Sequence, residues 1–357
     1  MQNPTSRQPA LFPEYTTQFP STRYQGSKAK LADWIWQQIE QLPFTTCLDA
    51  FGGTGAVAYR LKQANKQVTY NDLLRFNYYF GLALVENSHT FLEQSDIEWI
   101  LTFHTNIEYP DFISQNFSGI YFTDDENGWL DRTISNIRQL QDPYKFALAF
   151  FALCQACIVK RPYNLFHRKN LYVRLAEVER TFGNKTSWDK PFEEWFRIFA
   201  EEANQAIFDN SRQNSAIHYD ASQVPGNFDL VYIDPPYTHP NGTGTDYLGF
   251  YHFLEGLTVY NEWGQHIDRK SKHLRLKTRP NQWVNKNTMT AAFEEVFERF
   301  QNSILVVSYR SDGIPSESVL VDLLKRYKSN VVVSRFGQYQ YALSKNVNSE
   351  EILLIGT

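Results

Sequence analysis

Short apolar runs of β-branched and aromatic character recur toward both ends of the chain, each bounded by glycine, proline, asparagine or an acid. TCLD from Thr46, KQVTYND from Lys66, NSAIHYDAS, FDLVYI from Phe228, SILVVSY, NVVVSRF, QYQYALS and EILLIGT all read as strands, with the one before Ala221 ending at Asp220. Helical stripes separate them. One runs from Ala29 to about Leu42 with Trp34, Ile35, Ile39 and Leu42 on one face; others are AVAYRLKQA, LLRFNYYFGLALVEN, LEGLTVYNEWGQH and ESVLVDLLKRY. This alternation predicts a doubly wound, mostly parallel α/β sheet. Between about Val85 and Ser215 the rhythm stops, and helical patterns such as FLEQSDIEWILTF and YKFALAFFALCQACIV alternate with polar, aromatic loops. The predicted organisation is a loose polar leader over 1–20, an α/β domain over 21–85 and 216–357, and a separate, mainly helical insertion over 86–215.

The strand FDLVYI breaks at Asp234, Pro235, Pro236 and Tyr237. Two prolines cannot donate ladder hydrogen bonds, so the strand ends there. The Asp234 carboxylate and the Pro235 carbonyl, both pure acceptors, are thereby placed at a strand's carboxyl end beside an aromatic ring, the edge where open α/β sheets bind ligands. Such a pair suits a planar substrate with an NH2 group. An aromatic amine is a poor nucleophile because its lone pair is delocalised, and accepting both N–H hydrogens returns that pair to the nitrogen while Tyr237 stacks on the ring.

A second constellation lies earlier. TCLDAFGGTG carries glycines at 52, 53 and 55 between a strand and a helix, a turn whose backbone a ligand can approach closely. Asp72 follows about 20 residues later, where an acid can accept ribose hydroxyls; the other reading of Asp72 is a helix N-cap. In RYQGSK, Gly26, Ser27 and Lys28 offer backbone N–H groups and an ammonium to an anion at a helix start. His218, two residues before Asp220, reads as core or surface rather than as a catalytic group.

Asp-Pro-Pro-Tyr after such a strand, together with the D-x-F-G-G-T-G form, resembles the Dam-like (alpha-group) DNA adenine-N6 methyltransferases. The resemblance implies a Rossmann-like methyltransferase sheet and S-adenosylmethionine as cofactor. It implies that Tyr24 packs against the cofactor, that Lys28 pairs with its carboxylate, that Asp49, Phe51, Gly52, Gly53 and Gly55 line its methionine end, and that Asp220 holds its adenine ring. Asp234, Pro235, Pro236 and Tyr237 then form the catalytic motif, and SYRSDGIPS matches the segment lining the target-base pocket. It implies a target-recognition domain in the insertion, an adenine flipped out of duplex DNA, and a cognate restriction endonuclease or an orphan role. The alternatives are cytosine-N4 methylation, whose enzymes more often carry serine where Asp234 stands, an RNA substrate, and an inactive DNA-binding regulator on the same scaffold.

Net charge of −4 does not by itself indicate a nucleic-acid partner. Two basic stretches do. KRPYNLFHRKNLYVR interleaves Arg161, Arg168, Lys169 and Arg174 with Tyr163, Phe166, Tyr172 and Asn164, cations for phosphates and rings and an amide for bases. RKSKHLRLKTRPNQWVNK holds seven Lys/Arg, among them Arg269, Lys270, Lys272 and Arg275, and no acid. Cys154 and Cys157 sit in an apolar run and read as core thiols in a reducing compartment, with no metal site. The absence of a long apolar run or a signal pattern predicts no membrane span and a prokaryotic cytosolic or nucleoid location.

Overall fold

In the computed structural model, which describes residues 17–178, 185–238, 245–278, 280–338 and 349–357, the strands join one seven-stranded sheet in the order β3-β2-β1-β4-β5-β7-β6. The strands are β1 (Thr46–Asp49), β2 (Gln67–Asn71), β3 (Ser215–Ile217), β4 (Leu230–Ile233), β5 (Ile304–Arg310), β6 (Val331–Gln338) and β7 (Glu350–Gly356). From β3 to β5 all neighbours are parallel; β7 inserts antiparallel between β5 and β6. The predicted doubly wound sheet is the observed one.

Period-two alternation distributes the strand side chains between two apolar layers. Cys47, Leu230, Tyr232, Val306 and Leu353 face one layer, while Leu48, Val231, Ile233, Leu305 and Leu354 face the other. The second layer is covered by helices Met289–Arg299 and Glu317–Leu324. Both faces being covered explains why β4 is buried at every position and reads as an unbroken apolar run.

Helices Gln94–Leu101, Phe112–Phe117, Asp124–Ile137, Pro143–Val159 and Phe192–Gln205 lie between β2 and β3 in the chain. Their central member is Pro143–Val159. Asp142 caps it by accepting from the Tyr144 and Lys145 N–H groups, and Pro143 opens its first turn. It is apolar on all sides and buried from Ala147 to Val159, Cys154 and Cys157 included, the pattern of a helix surrounded by protein. The predicted insertion is not separate in its packing. Leu153, Phe150 and Phe196 belong to the same apolar cluster as Cys47, Tyr232 and Val306 of the sheet.

Two local readings change. β3 ends at Ile217, three residues short of Asp220, and the helix after the Asp-Pro-Pro-Tyr loop runs Tyr247–Thr258, starting ahead of the predicted helix LEGLTVYNEWGQH. Asp246 starts it by accepting from the Gly249 N–H. All but the first residue of the predicted strand QYQYALS, and residues 1–16 of the leader, lie outside the described residues. Among the described residues no helix is long and apolar enough to cross a membrane.

Candidate active site

The strand order reverses between the parallel neighbours β1 and β4: β2 and β3 extend the sheet on one side and β5 on the other. A cavity of about 820 Å³ opens at the carboxyl ends of these two strands, the position where doubly wound sheets bind ligands. The turn after β1 and the Asp-Pro-Pro-Tyr turn after β4 meet there. Tyr24, Gly26, Lys28, Asp49, Phe51, Gly52 and Gly53 reach its wall, as do Asp72, Asp220, Asp234 and Pro236. Gly55, Pro235 and Tyr237 do not.

The glycine turn is held from below. Gly53 has φ +54° and Gly55 φ +84°, and a Cβ at Gly52 would stand 2.0 Å from the Tyr70 ring, so the turn excludes side chains. Asp72 accepts hydrogen bonds from the Gly53 and Leu74 N–H groups at 2.9 and 2.8 Å. It therefore fastens the turn to the segment leading into helix Arg75–Gly81, while its carboxylate stays on the cavity wall. Asp49 ends β1. Its Oδ1 is buried without a hydrogen-bond partner among the described residues. Burial, with the Asp234 and Asp72 charges adding to it, pushes its carboxyl up to about 8.

Asp220 opens the short turn Ala221–Gln223, accepting from the Ser222 N–H and hydroxyl at 3.0 Å each. It reaches the cavity from a loop, not from a strand end. His218 differs from its reading as core or surface: its Nε2 lies 2.8 Å from the Leu73 carbonyl and its ring lines the cavity. The chain leaves the extended conformation after Ile217, so strand alternation no longer sets its direction.

Tyr24 stacks on Tyr251 at 4.5 Å and 11°, and on Tyr247 at 5.5 Å and 8°. Tyr247 and Tyr251 were not among the predicted site residues. Their spacing of four in YLGFYHF, which puts two rings on one helix face, is the signal that carries them.

The Asp-Pro-Pro-Tyr turn encloses a buried charge cluster. Lys28 donates to Asp234 Oδ1 at 2.7 Å and to the Tyr237 hydroxyl at 2.5 Å. The resemblance gives Lys28 a cofactor carboxylate as partner; within the chain itself its ammonium meets Asp234. A buried ammonium takes the nearest carboxylate, and here that is Asp234. The Tyr237 hydroxyl stands 2.9 Å from Asp234 Oδ1 and 3.0 Å from Glu351 Oε1, and its ring meets Tyr309 edge-to-face at 5.2 Å. Burial raises the Asp234 carboxyl to about 6, with Lys28 pulling it down and Glu351 pushing it up. Glu351 itself is fully buried on β7, accepts from the Ser308 hydroxyl at 2.5 Å and was missed by the sequence reading. An acid inside EEILLIG, on a strand buried along nearly its whole length, is a signal in itself, because a buried carboxylate requires a partner.

The predicted DNA-binding residues divide sharply. Arg161 is 1% exposed. It donates to the carbonyls of Tyr121, Leu165 and Arg168 and to Asn170 Oδ1, and lies over the Tyr121 ring at 4.4 Å. It braces the basic loop from inside and cannot reach a phosphate. Arg174 is likewise internal, paired through both guanidinium nitrogens with Glu126. Arg168 and Lys169 are exposed. Asn164 is half-buried and, with the exposed Tyr163, adopts a left-handed backbone (φ 58° and 63°), a strained pair at the tip of the loop. Arg269, Lys270 and Lys272 are exposed on a hairpin closed by the Ile267–Leu276 bridge, and Arg275 is half-buried and paired with Asp268 at 3.4 Å. Arg269 also donates to Asn116 Oδ1 at 3.0 Å.

The two basic segments are distant in sequence and adjacent in space. The Tyr121 hydroxyl donates toward the Phe166 carbonyl at 2.6 Å and the His273 carbonyl at 3.0 Å, and it contacts His252 of the helix bearing Tyr247 and Tyr251. One tyrosine thus ties both cationic loops to the wall of the cavity.

Comparison with known proteins gives the family. A family model described as D12 class N6 adenine-specific DNA methyltransferase matches residues 24–312. The type II methyltransferase M2.HphI of Haemophilus parahaemolyticus is 30% identical over 323 residues, covering 88% of this chain and 90% of that protein. The modification methylase StsI of Streptococcus sanguinis is 26% identical over 341 residues, and there the chain spans 50% of the relative's length. The type II methyltransferase M.CviAII of Paramecium bursaria Chlorella virus 1 is 23% identical over 344 residues, covering 92% of this chain and 95% of that protein.

Proposed function

The chain belongs to the D12 class N6 adenine-specific DNA methyltransferases, and on that premise we propose that it methylates the exocyclic N6 of an adenine flipped out of duplex DNA, using S-adenosylmethionine, as the modification enzyme of a restriction-modification system. The observation that carries the reading is Asp234, a half-buried carboxylate at the switch-point edge of the sheet, on the wall of a cavity shared with the glycine turn.

The residues present fit the cofactor. Asp49 offers a buried oxygen without a partner, which suits an ammonium. The glycine turn leaves its backbone open to close approach, and the stacked tyrosines give the opposite wall an aromatic face. Asp49, Phe51, Gly52 and Gly53 would hold the methionine end, Asp72 the ribose and Asp220 the adenine. When bound, S-adenosylmethionine supplies an electrophilic sulfonium methyl group.

The chain's own residues then do the rest. The Asp234 carboxylate and the Pro235 carbonyl accept the two amino hydrogens of the base and localise the nitrogen lone pair toward the methyl donor. Tyr237, which stands behind the cavity wall with its hydroxyl on Asp234, turns into the cavity to hold the ring, and this requires that hydroxyl to loosen. Asp234, with its affinity for protons raised by burial, is the nearest acceptor for the proton released when N6 is methylated. Positioning and fixed electrostatics supply the acceleration. Arg168, Lys169, Asn164, Arg269, Lys270 and Lys272 grip the duplex, and the 86–215 segment serves as the target-recognition part. A cognate endonuclease and a prokaryotic cytosolic setting complete the proposal.

Incubation of the purified protein with methyl-labelled S-adenosylmethionine and DNA from a host lacking adenine methylation tests it. Digestion to nucleosides is expected to place the label in N6-methyladenine. Label in N4-methylcytosine, or in no base, would overturn it.

A further inference from the structure

We propose that Glu351 is the second counter-ion of Lys28, a positioning residue that takes over the ammonium when Asp234 turns to the amino group of the target base. The inference rests on Asp234 being the amino-group acceptor.

Glu351 stands at the start of β7, in register with Arg310 of β5, and is fully buried. Its neighbours along the strand, Ile352 to Ile355, are buried and apolar. A carboxylate in such a place is retained only if it is paired. Arg310, its register partner, binds Asp312 at 2.6 Å. Partners of Glu351 Oε1 among the described residues include groups of the active site or groups touching it: the Ser308 hydroxyl, the Tyr237 hydroxyl and, at 3.6 Å, the Lys28 ammonium.

The arrangement meets a specific chemical need. Asp234 presents the same oxygen, Oδ1, to both Lys28 and Tyr237. An amino group arriving from a base competes for that carboxylate. Were Asp234 the sole counter-ion of Lys28, releasing it would strand a buried cation. Glu351 removes that cost. A shift of about 1 Å brings the ammonium from its present distance to ordinary ion-pair contact with Glu351, and the Tyr237 hydroxyl already spans both carboxylates. Nothing leaves the site, and the charge on Lys28 stays compensated throughout.

The ionisable groups facing Asp234 are Lys28, Tyr237 and Glu351, with Asp49 on the adjacent strand and Tyr232 and Tyr247 alongside. Among these, Glu351 and Asp49 are the like charges.

The test is the Glu351→Gln variant of the full chain, assayed with S-adenosylmethionine and DNA from a host lacking adenine methylation. We expect kcat to fall about tenfold, with the KM for each substrate changed less than about threefold. The acid limb of the kcat profile is expected to move to lower pH, because a like charge beside Asp234 is gone. A wild-type kcat and acid limb would overturn the proposal. So would a loss that follows raised KM or a lowered melting temperature with the limb unmoved. If Glu351→Gln does not fold, Ser308→Ala decides: both charges remain but Glu351 loses its hydroxyl donor, so kcat falls several-fold at unchanged KM, and an unchanged kcat overturns the proposal. Asp234→Ala, which removes the acceptor, is the control. Turnover by Asp234→Ala would defeat the acceptor reading itself, whereas a dead Asp234→Ala beside a fully active Glu351→Gln would defeat only the role of Glu351.

Discussion

Gly26 and Tyr247 are fitted to each other: a Cβ at Gly26 would stand 2.2 Å from the Tyr247 hydroxyl, and the Gly26 backbone has φ +82°. The contact joins the RYQGSK turn to the helix Tyr247–Thr258, and the Tyr24 ring lies stacked between Tyr247 and Tyr251. Gly26→Ala is therefore strained in its backbone and displaces the ring stack. The expected result is a destabilisation of about 1–3 kcal/mol and a loss of S-adenosylmethionine affinity, measured by thermal unfolding and by calorimetric titration.

Asp234→Ala removes the acceptor and leaves the cationic loops untouched. Turnover is expected to disappear while the DNA dissociation constant stays within about twofold of wild type. Equal loss of both, in a methylation assay run beside a fluorescence-anisotropy titration, would count against the role given to Asp234.

The two kinds of arginine in KRPYNLFHRKNLYVR separate by salt dependence. Arg168 and Lys169 are exposed, so replacing both with alanine is expected to weaken DNA binding and reduce the slope of log affinity against log salt by about two. The melting temperature should not move. Arg161→Ala leaves several buried carbonyls without a donor and is expected to destabilise the fold by about 3–5 kcal/mol.

Asp49 gives a stability signature with a definite sign. Its unfolded carboxyl titrates near about 4 and its folded one at about 8, so the fold favours the protonated acid. The contribution to stability is fully present below the unfolded value and is lost as pH rises through the folded one. Asp49→Asn, which cannot ionise, is expected to melt at a higher temperature than wild type above about pH 8 and to lose that advantage toward about pH 4. The same variant should bind S-adenosylmethionine more weakly. Melting curves across this range, with and without the cofactor, check both parts.

Much of this site was legible because its motifs are contiguous. Asp234 to Tyr237 and the glycines at 52, 53 and 55 each act through neighbours a few residues away, and the strand that ends at each motif fixes the edge where it lies. Non-local features were not legible. Nothing in KRPYNLFHRKNLYVR distinguishes Arg161, folded inward onto Tyr121, from Arg168, which faces solvent; the difference is set by residues some 40 positions earlier. Glu351 becomes an active-site group only because β7 inserts antiparallel beside β5. Helix Met289–Arg299 carries a stripe of Ala292, Phe293, Val296 and Phe297, but it adjoins a strongly basic stretch whose charge dominates the local pattern. The glycines ahead of Leu254 mask the start of helix Tyr247–Thr258, which the cap at Asp246 sets early.

The central claim, methylation of adenine N6 in DNA, is tested most directly by expressing the protein in a host that lacks adenine methylation and sequencing the host's DNA molecule by molecule. The account predicts N6-methyladenine at one short recurring motif, absent when Asp234→Ala is expressed instead. Modified cytosine, or methyladenine that persists with Asp234→Ala, would contradict it.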